Sequence, residues 1–426
     1  MEKVLDHQLS LLKIIQKIRH VFFVLFIICI PFQDFGLQAT FLRFFGATLS
    51  NIPLIGLIVT LILGFILGEK TNKKSFILSG ALLVYIIIYS LLVLLFTSDD
   101  NNLTFYIYKL FSNSIIFIFW LIAYIYTKNH LQNIEKYIIL AYIINIIGWI
   151  ICDILSINLG SMIHFGHDAD YPRFHGFTLE ASYFCFLTVI SGILSISFTK
   201  SKFLKILFFI PIIIILFLGG SKGSLIIFFL AILLYILLNK SYTIYLKLIL
   251  FLFGLLTSIA IFYYFLLNSF LIDLEESTSF ASRFSSIIAT FYILKDFPFG
   301  TGFGAFLIVF KDAITQSFNL LNNYIPGIVL NFAEIDNWTS SSRQEGAAIR
   351  SIIFQFIAYW GVPFLALFIY YVKVYIRILQ DINGCIFYLF IFIICGLLTF
   401  ASFNYESIIA LAIIANKVAV LKQRSE

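Results

Sequence analysis

Apolar stretches long enough to cross a bilayer recur from one end of this chain to the other, and they constrain the fold before anything else does. A helix needs about 20 predominantly apolar residues to span the ~30 Å hydrocarbon core. Within that core every backbone N–H and C=O must find its partner inside the protein. Such stretches are read at residues 21–35, 51–68, 76–96, 105–126, 137–157, 177–198, 203–220, 222–238, 243–267, 351–372, 384–400 and 405–421. With 61% hydrophobic and 12% charged residues and a mean hydropathy of +1.01, the composition lies far outside the soluble range. The expectation is an all-α integral membrane protein of about twelve transmembrane helices, one polytopic domain over residues 1–426.

Lys and Arg near span ends set orientation, because basic segments resist translocation. With the N-terminus inside, one face collects Lys3, Lys13, Lys17, Arg19, Lys70, Lys73, Lys74, Lys128, Lys136, Lys200, Lys202, Lys205, Lys240, Lys247, Lys373, Arg377, Lys417, Lys422 and Arg424. The short loops of the other face hold only Arg43, Lys109, Arg173 and Lys222. Both termini of this multi-pass chain are therefore expected on the cytoplasmic side of the membrane. The net charge of +6 is a topology signal and gives no reason to expect nucleic acid as a partner. Residues 1–20 carry Leu5, Leu9, Leu12 and Ile15 near one face and are expected to lie as an amphipathic helix on anionic membrane lipid. Cys29, Cys152, Cys185, Cys385 and Cys395 fall inside apolar spans with no ligand spacing, so neither a disulfide framework nor a zinc site is suggested.

One polar interruption, residues 268–350, stands apart from this pattern, and loops of that length are usually functional or disordered. Phe280–Phe297 and Gly304–Leu321 read as amphipathic helices, separated by the Pro- and Gly-rich break FPFGTGFG (Phe297–Gly304). Arg283 stands near its start, Arg343 lies in WTSSSRQEG, and Arg350 closes it. The GTGFG segment lacks the Lys-Ser/Thr of a nucleotide-binding loop.

Two other expected outer segments carry chemistry. The loop over residues 158–176 and the helix start beyond it bring together His164, His167, Asp168, Asp170, Arg173, His175 and Glu180. Glu180 is expected about one turn into the sixth span, where an ionisable group is a functional-site hypothesis; a snorkelling carboxylate or a partner of Arg173 is the plainer reading. Asp168 and Asp170 resemble the Asp-x-Asp pairs that hold divalent cations, but a pair in a Gly-containing turn is more often solvated, and no metal or other cofactor is expected. GGSKGS (Gly219–Ser224) allows a tight turn with exposed N–H groups beside Lys222. Such a turn can cradle an anion, although a simple helix–helix connection explains it as well.

Taken together, Arg283 with KDFPFGTGFGAF (Lys295–Phe306), RFHGFTLEASYF (Arg173–Phe184) and SKGS (Ser221–Ser224) resemble segments of the O-antigen polymerase and ligase superfamily. The resemblance covers most of the chain by topology, but only these segments carry sequence specificity. It implies a GT-C-like fold, multi-pass in the bacterial inner (cytoplasmic) membrane, with one long periplasmic loop. The implied activity is a glycosyltransferase joining undecaprenyl-pyrophosphate-linked oligosaccharides in O-antigen or capsule synthesis, with a chain-length regulator as a further partner. Ligases place a histidine before the tenth helix; counting back from Gly361, this chain has Arg350 and Ser351 there, which favours polymerase over ligase. A flippase or other transporter is the rival of a different class, and it would place charges at the midplane on broken helices. Here Lys109, Glu180 and Glu406 are expected toward span ends.

The chemistry so implied needs cations against the leaving diphosphate, and planar Arg binds phosphate oxygens bidentately. Arg173, Arg283 and Arg350 are the expected clamps, with Lys222 and Arg343 as further candidates. Glu180 or His175 is the expected base, Glu180 preferred because partial burial would raise its pKa. Tyr324, Phe332 and Trp338 are candidates for stacking on sugar rings. The loop bearing Arg173 and Glu180 and the long loop are expected to form the two halves of one site.

Overall fold

The computed structural model describes residues 2–33, 48–69, 73–97, 103–131, 133–155, 174–178, 180–261, 263, 278–324, 331–340, 347–381, 384–399 and 404–425. Among them there is no strand. The helices are α1 (Glu2–Ile28), α2 (Asn51–Ile66), α3 (Lys73–Thr97), α4 (Leu103–Asn129), α5 (Ile134–Trp149) with a π-helical turn at Ile150–Ile154, and α6 (Ala181–Phe198). They continue with α7 (Lys202–Leu218), α8 (Lys222–Leu238), α9 (Ile244–Ile261), α10 (Thr278–Asp296), α11 (Gly302–Tyr324) and α12 (Ala333–Ser340). The series ends with α13 (Ile352–Leu379), α14 (Cys385–Thr399) and α15 (Tyr405–Ser425).

Among the described residues, five segments are long and apolar enough to cross a membrane: Ile77–Thr97, Leu103–Asn129, Ile134–Ile154, Ala181–Phe198 and Ile352–Leu379. The chain is thus a multi-pass α-helical membrane protein. Asn51–Ile66, Lys222–Leu238, Ile244–Thr257 and Cys385–Thr399 are apolar but shorter. A 16- or 17-residue helix rises only about 24–26 Å and needs its flanking turns to cover the hydrocarbon core.

The chain divides into two compact units. The first comprises residues 1–82, 116–225 and 404–426. In it α1 packs on α2 and α5, α5 on α6, and α6 on α7 and α15. The expected surface helix over residues 1–20 does not end there. Nothing between His20 and Val21 breaks a helix, so α1 runs on without interruption to Ile28. Its Arg19, read from sequence as a topology charge, is buried. Arg19 donates through Nη1 and Nη2 to the two Glu69 oxygens at 3.0 and 2.6 Å, and through Nη2 to Thr60 O at 2.8 Å, while Gln16 donates to Glu69 at 2.9 Å. A fork-to-carboxylate pair of this kind is among the stronger hydrogen-bonded contacts. Gly64 makes it possible, since a Cβ there would lie 2.2 Å from Glu69 Oε2 and 2.3 Å from Arg19 Nη2. Burial alone pushes the Glu69 carboxyl up, but the hydrogen bonds from Arg19 and Gln16 and the Arg19 charge outweigh it, and the net shift is downward.

The second unit comprises residues 83–115 and 226–403. Its α10 and α11 pack on each other, on α12 and on α13, and α13 packs on α14. The amphipathic segments expected at 280–297 and 304–321 are the helices α10 and α11, and the Pro-Gly break falls between them. That break does not form a free loop. Nine residues into α13, about 13 Å along its axis, Gly361 leaves the helical conformation with φ 64 and ψ −153, and the turn docks there. Thr301 N–H donates to Ala358 O at 2.9 Å, and Val362 N–H donates to Pro298 O at 2.8 Å. From α3, Tyr89 OH donates to Gly300 O at 2.8 Å, and Ser90 Oγ accepts from Phe303 N–H at 3.0 Å, capping α11. Cβ atoms at Gly300 and Gly361 would lie 2.3 Å from Tyr359 O and 2.1 Å from Pro298 O respectively.

Gly300→Ala and Gly361→Ala should each lower the apparent melting temperature of the purified protein sharply or abolish folding. A positive φ costs a residue with Cβ about 1–2 kcal/mol, before any backbone overlap. Gly80→Ala, with open space around it, should leave it unchanged or slightly raised. For Glu69 the folded pKa lies below the unfolded one, so its contribution is fully present above the ordinary carboxylate range and is lost as pH falls through the folded value. The destabilisation by Glu69→Gln should therefore be largest near neutral pH and shrink on acidification below that range, read as the difference in melting temperature between variant and parent.

Candidate functional site

In the first unit, polar groups collect where α5 ends and α6 begins. The π-helical turn carries Asp153, whose side chain is only 4% exposed. Its carboxylate accepts from the backbone N–H of His175 at 3.2 Å to both oxygens and of Gly176 at 2.8 Å. His175 Nδ1 lies 3.1 Å from Gly176 O, an atom that only accepts, so Nδ1 carries the proton and Nε2 faces Asp153 Oδ1 at 3.8 Å. Thr178 continues the turn, donating to His175 O at 2.8 Å. Phe177 stacks on Phe32 at 4.7 Å, and Phe174 packs with Trp149, Phe184, Cys185 and Ile215. Asp153 thus pins the segment over the end of α5.

Glu180 is not inside the sixth helix. It is the residue preceding α6, in extended conformation and exposed, where its carboxylate accepts from Ser182 Oγ at 3.2 Å. The helix starts later than its apolar pattern because Thr178 Oγ and backbone close a turn first. The burial that favoured Glu180 over His175 as a base is therefore absent. The GGSK segment is a capped helix–helix turn: Ser221 Oγ accepts from Ser224 N–H at 3.4 Å and donates to Ser224 Oγ at 2.8 Å. Lys222, half-buried, is the first residue of α8. A cation there opposes the positive end of the helix dipole.

Glu406 lies in the first turn of α15 and is buried. It accepts from Gln33 Nε2 at 3.0 Å, and its other oxygen has no hydrogen-bond partner among the described residues. Next to it Tyr405 OH donates to Asn51 Oδ1.

In the second unit, Arg283 and Arg350 come together. Ser286 Oγ donates to Arg283 O at 2.8 Å and accepts from Arg350 N–H at 3.4 Å, so one hydroxyl links the two arginine backbones. Arg283 is half-buried on a face of α10 made of Ala281, Ser282, Ser285, Ser286 and Ala289, all buried. Small side chains there let α10 lie close against its neighbours. Arg350 is exposed; its Nη2 pairs with Glu334 of α12, and its guanidinium lies 5.6 Å from the centre of the Trp338 ring. That position secures both cation–π and ion-pair contact. Trp338, a candidate for sugar stacking, is buried against Phe310 and Arg350, and Phe332 meets Phe318 edge-on at 3.9 Å. Tyr324 is exposed at the end of α11.

Arg173, Arg343, His164, His167, Asp168 and Asp170 lie outside the described residues. Arg173 belongs to the first unit by sequence and Arg283 and Arg350 to the second. Asp153 was missed by sequence reasoning because it ends a purely apolar run; its only signal is a carboxylate at the outer end of an expected span.

The chain is similar to an uncharacterized 49.5 kDa protein in the cps region of Klebsiella pneumoniae, with 27% identity over 375 residues covering 86% of this chain and 83% of the relative. No family model matches the chain, and no solved structure matches it.

Asp153→Ala should leave two backbone donors unsatisfied and release residues 174–178, read as faster proteolytic cleavage after His175 in intact membranes. Asp153→Asn keeps one acceptor oxygen and should give an intermediate rate.

Proposed function

We propose that the chain is a polysaccharide polymerase that joins undecaprenyl-pyrophosphate-linked oligosaccharide repeat units at the outer face of the inner membrane, in capsule or O-antigen synthesis. The observation that carries the reading is that Ser286 Oγ joins the backbones of Arg283 and Arg350 and so brings two arginine positions to one place, since planar guanidinium groups bind phosphate oxygens bidentately. The sequence resemblance supports it, as does the similarity to a protein from a cps, or capsule, region. Both termini are taken as cytoplasmic and residues 268–350 as periplasmic, following the basic-residue bias.

In this reaction a hydroxyl oxygen of the acceptor repeat unit forms a bond to the anomeric carbon of the donor. The bond from that carbon to the diphosphate oxygen breaks, and the lipid diphosphate leaves with the electron pair. Arg283 and Arg350 stabilise the charge that develops on it, a preorganised electrostatic role. Arg350 reaches that role by exchanging Glu334 for the diphosphate, two acceptors of the same fork. Arg173, Lys222 and Arg343 are further cations proposed for binding substrate anions. The acceptor proton passes to a base, for which Glu180 and His175 are the candidates; exposed Glu180 is open to a substrate hydroxyl.

Deleting the gene should remove the long-chain ladder of surface polysaccharide on a gel and leave single repeat units attached to lipid. Complete loss of attached sugar would point instead to a ligase or a flippase. Arg283→Ala and Arg350→Ala should each abolish the ladder at unchanged protein level. Arg350→Lys keeps charge but loses the planar fork and should fall between. A normal ladder in both alanine variants would sink the clamp assignment.

A further inference from the structure

Between α10, α11 and the end of α3, the second unit holds a cleft of about 310 Å³ that the diphosphate chemistry does not use. This is the lower end of the ~300–1,000 Å³ range of small-molecule sites. Its polar wall is built at helical spacing. Tyr292 and Asp296 lie four apart on α10, and Asp312 and Gln316 four apart on α11, so each pair shares one face of its helix. Ile308 and Val309 supply an apolar floor, and Thr97 closes the end. Asp296, Asp312 and Gln316 are exposed and Tyr292 is half-buried, so the polar atoms of this wall are open to a molecule in the cleft.

The chemistry of the lining selects the occupant. Two carboxylates in the lining disfavour a diphosphate and leave no reason for an acyl chain to enter. A hard divalent cation wants six or more oxygens in a compact shell, whereas these groups are spread around a cavity with an apolar floor. A neutral pyranose ring meets every demand: its hydroxyls donate to Asp296 and Asp312, exchange hydrogen bonds with the Gln316 amide and the Tyr292 hydroxyl, and its C–H face lies on Ile308 and Val309. We infer that the cleft lined by Tyr292, Asp296, Asp312 and Gln316 is a saccharide subsite that takes a neutral pyranose ring of the glycan, a step that rests on the polymerase reading for the identity of the glycan but not for binding itself.

The test uses the full chain in nanodiscs, free of sugar-headed detergent, with the methyl glycosides of glucose, galactose, mannose, N-acetylglucosamine and N-acetylgalactosamine as probes in saturation-transfer NMR. At least one should receive saturation on its ring protons. Asp296→Asn, Asp312→Asn and Gln316→Ala should each weaken its binding, by about tenfold or more for the loss of a charged hydrogen bond. Thr315→Ala, on the same helix but outside the lining, should leave it unchanged. No transfer to any glycoside overturns the inference, and so does transfer that all three variants retain. Tight Mn²⁺ binding detected by paramagnetic resonance and lost in the aspartate variants, without glycoside binding, overturns it in favour of a cation site. The polymerase reading falls separately: if gene deletion leaves the polysaccharide ladder intact while the glycoside binds, the subsite stands and the proposed reaction does not.

Discussion

The second unit depends on one backbone interlock. An apolar helix that breaks nine residues from its start exposes carbonyl and amide groups that lipid cannot satisfy. In α13 those groups are taken up by the turn between α10 and α11: Ala358 O by Thr301, Val362 N–H by Pro298 O. Contact this close leaves no room for a Cβ at Gly300 or Gly361. Gly300 of FPFGTGFG thus serves approach of one backbone to another, and phosphate binding is not needed to explain it. Because the turn is fixed at both ends, the helices on either side of it are fixed as well, and with them every polar group that α10 and α11 present.

A second regularity follows from the cost of leaving charge unpaired in or near a membrane. Arg19 is matched by Glu69, the Asp153 carboxylate by two backbone amides, and Arg350 by Glu334. Each pairing joins elements distant in sequence and so acts as a tie between them. For function the consequences differ. Arg19 is buried and saturated with acceptors and belongs to the packing of α1 on α2. Arg350 is exposed and its partner Glu334 sits on the short helix α12, so that pairing is open to solvent where the Arg19 pairing is not.

Local features of the fold were legible in the sequence. The apolar runs at 76–96, 105–126 and 351–372 appear as long helices, and the two amphipathic segments of the long loop lie within one to three residues of their expected ends because Pro and Gly punctuate them. What was not legible is non-local. The pairing of Thr301 with Ala358 spans 57 residues, that of Arg19 with Glu69 spans 50, and that of Asp153 with His175 spans 22, and none leaves a periodic trace. Glu180 shows the limit from the other side: apolar periodicity extended the sixth helix one turn too far, because the hydrogen bonds of Thr178 favour a turn that periodicity does not register. Arg283 and Arg350 were legible as residue types, but their shared contact with Ser286 was not.

The position of these groups along α10 bears on how a lipid-linked glycan would lie. Arg283 is near the start of the helix and Asp296 at its end, thirteen residues on, which is about 20 Å of axial rise. Arg283 and Asp296 therefore stand toward opposite ends of a single rigid element, with Lys295 beside Asp296 in the last turn. On the proposed reading, the substrate has the same polarity: a diphosphate anchored at the membrane and a neutral glycan extending from it over a comparable length. Glu334 pairs with Arg350 and is exchanged for the diphosphate on that reading, whereas Asp296, at this separation and with a Debye length near 8 Å, is left to its own ligand. A site that must hold both an anion and many hydroxyls gains from such spacing, and α10 supplies it without any residue having to serve both tasks.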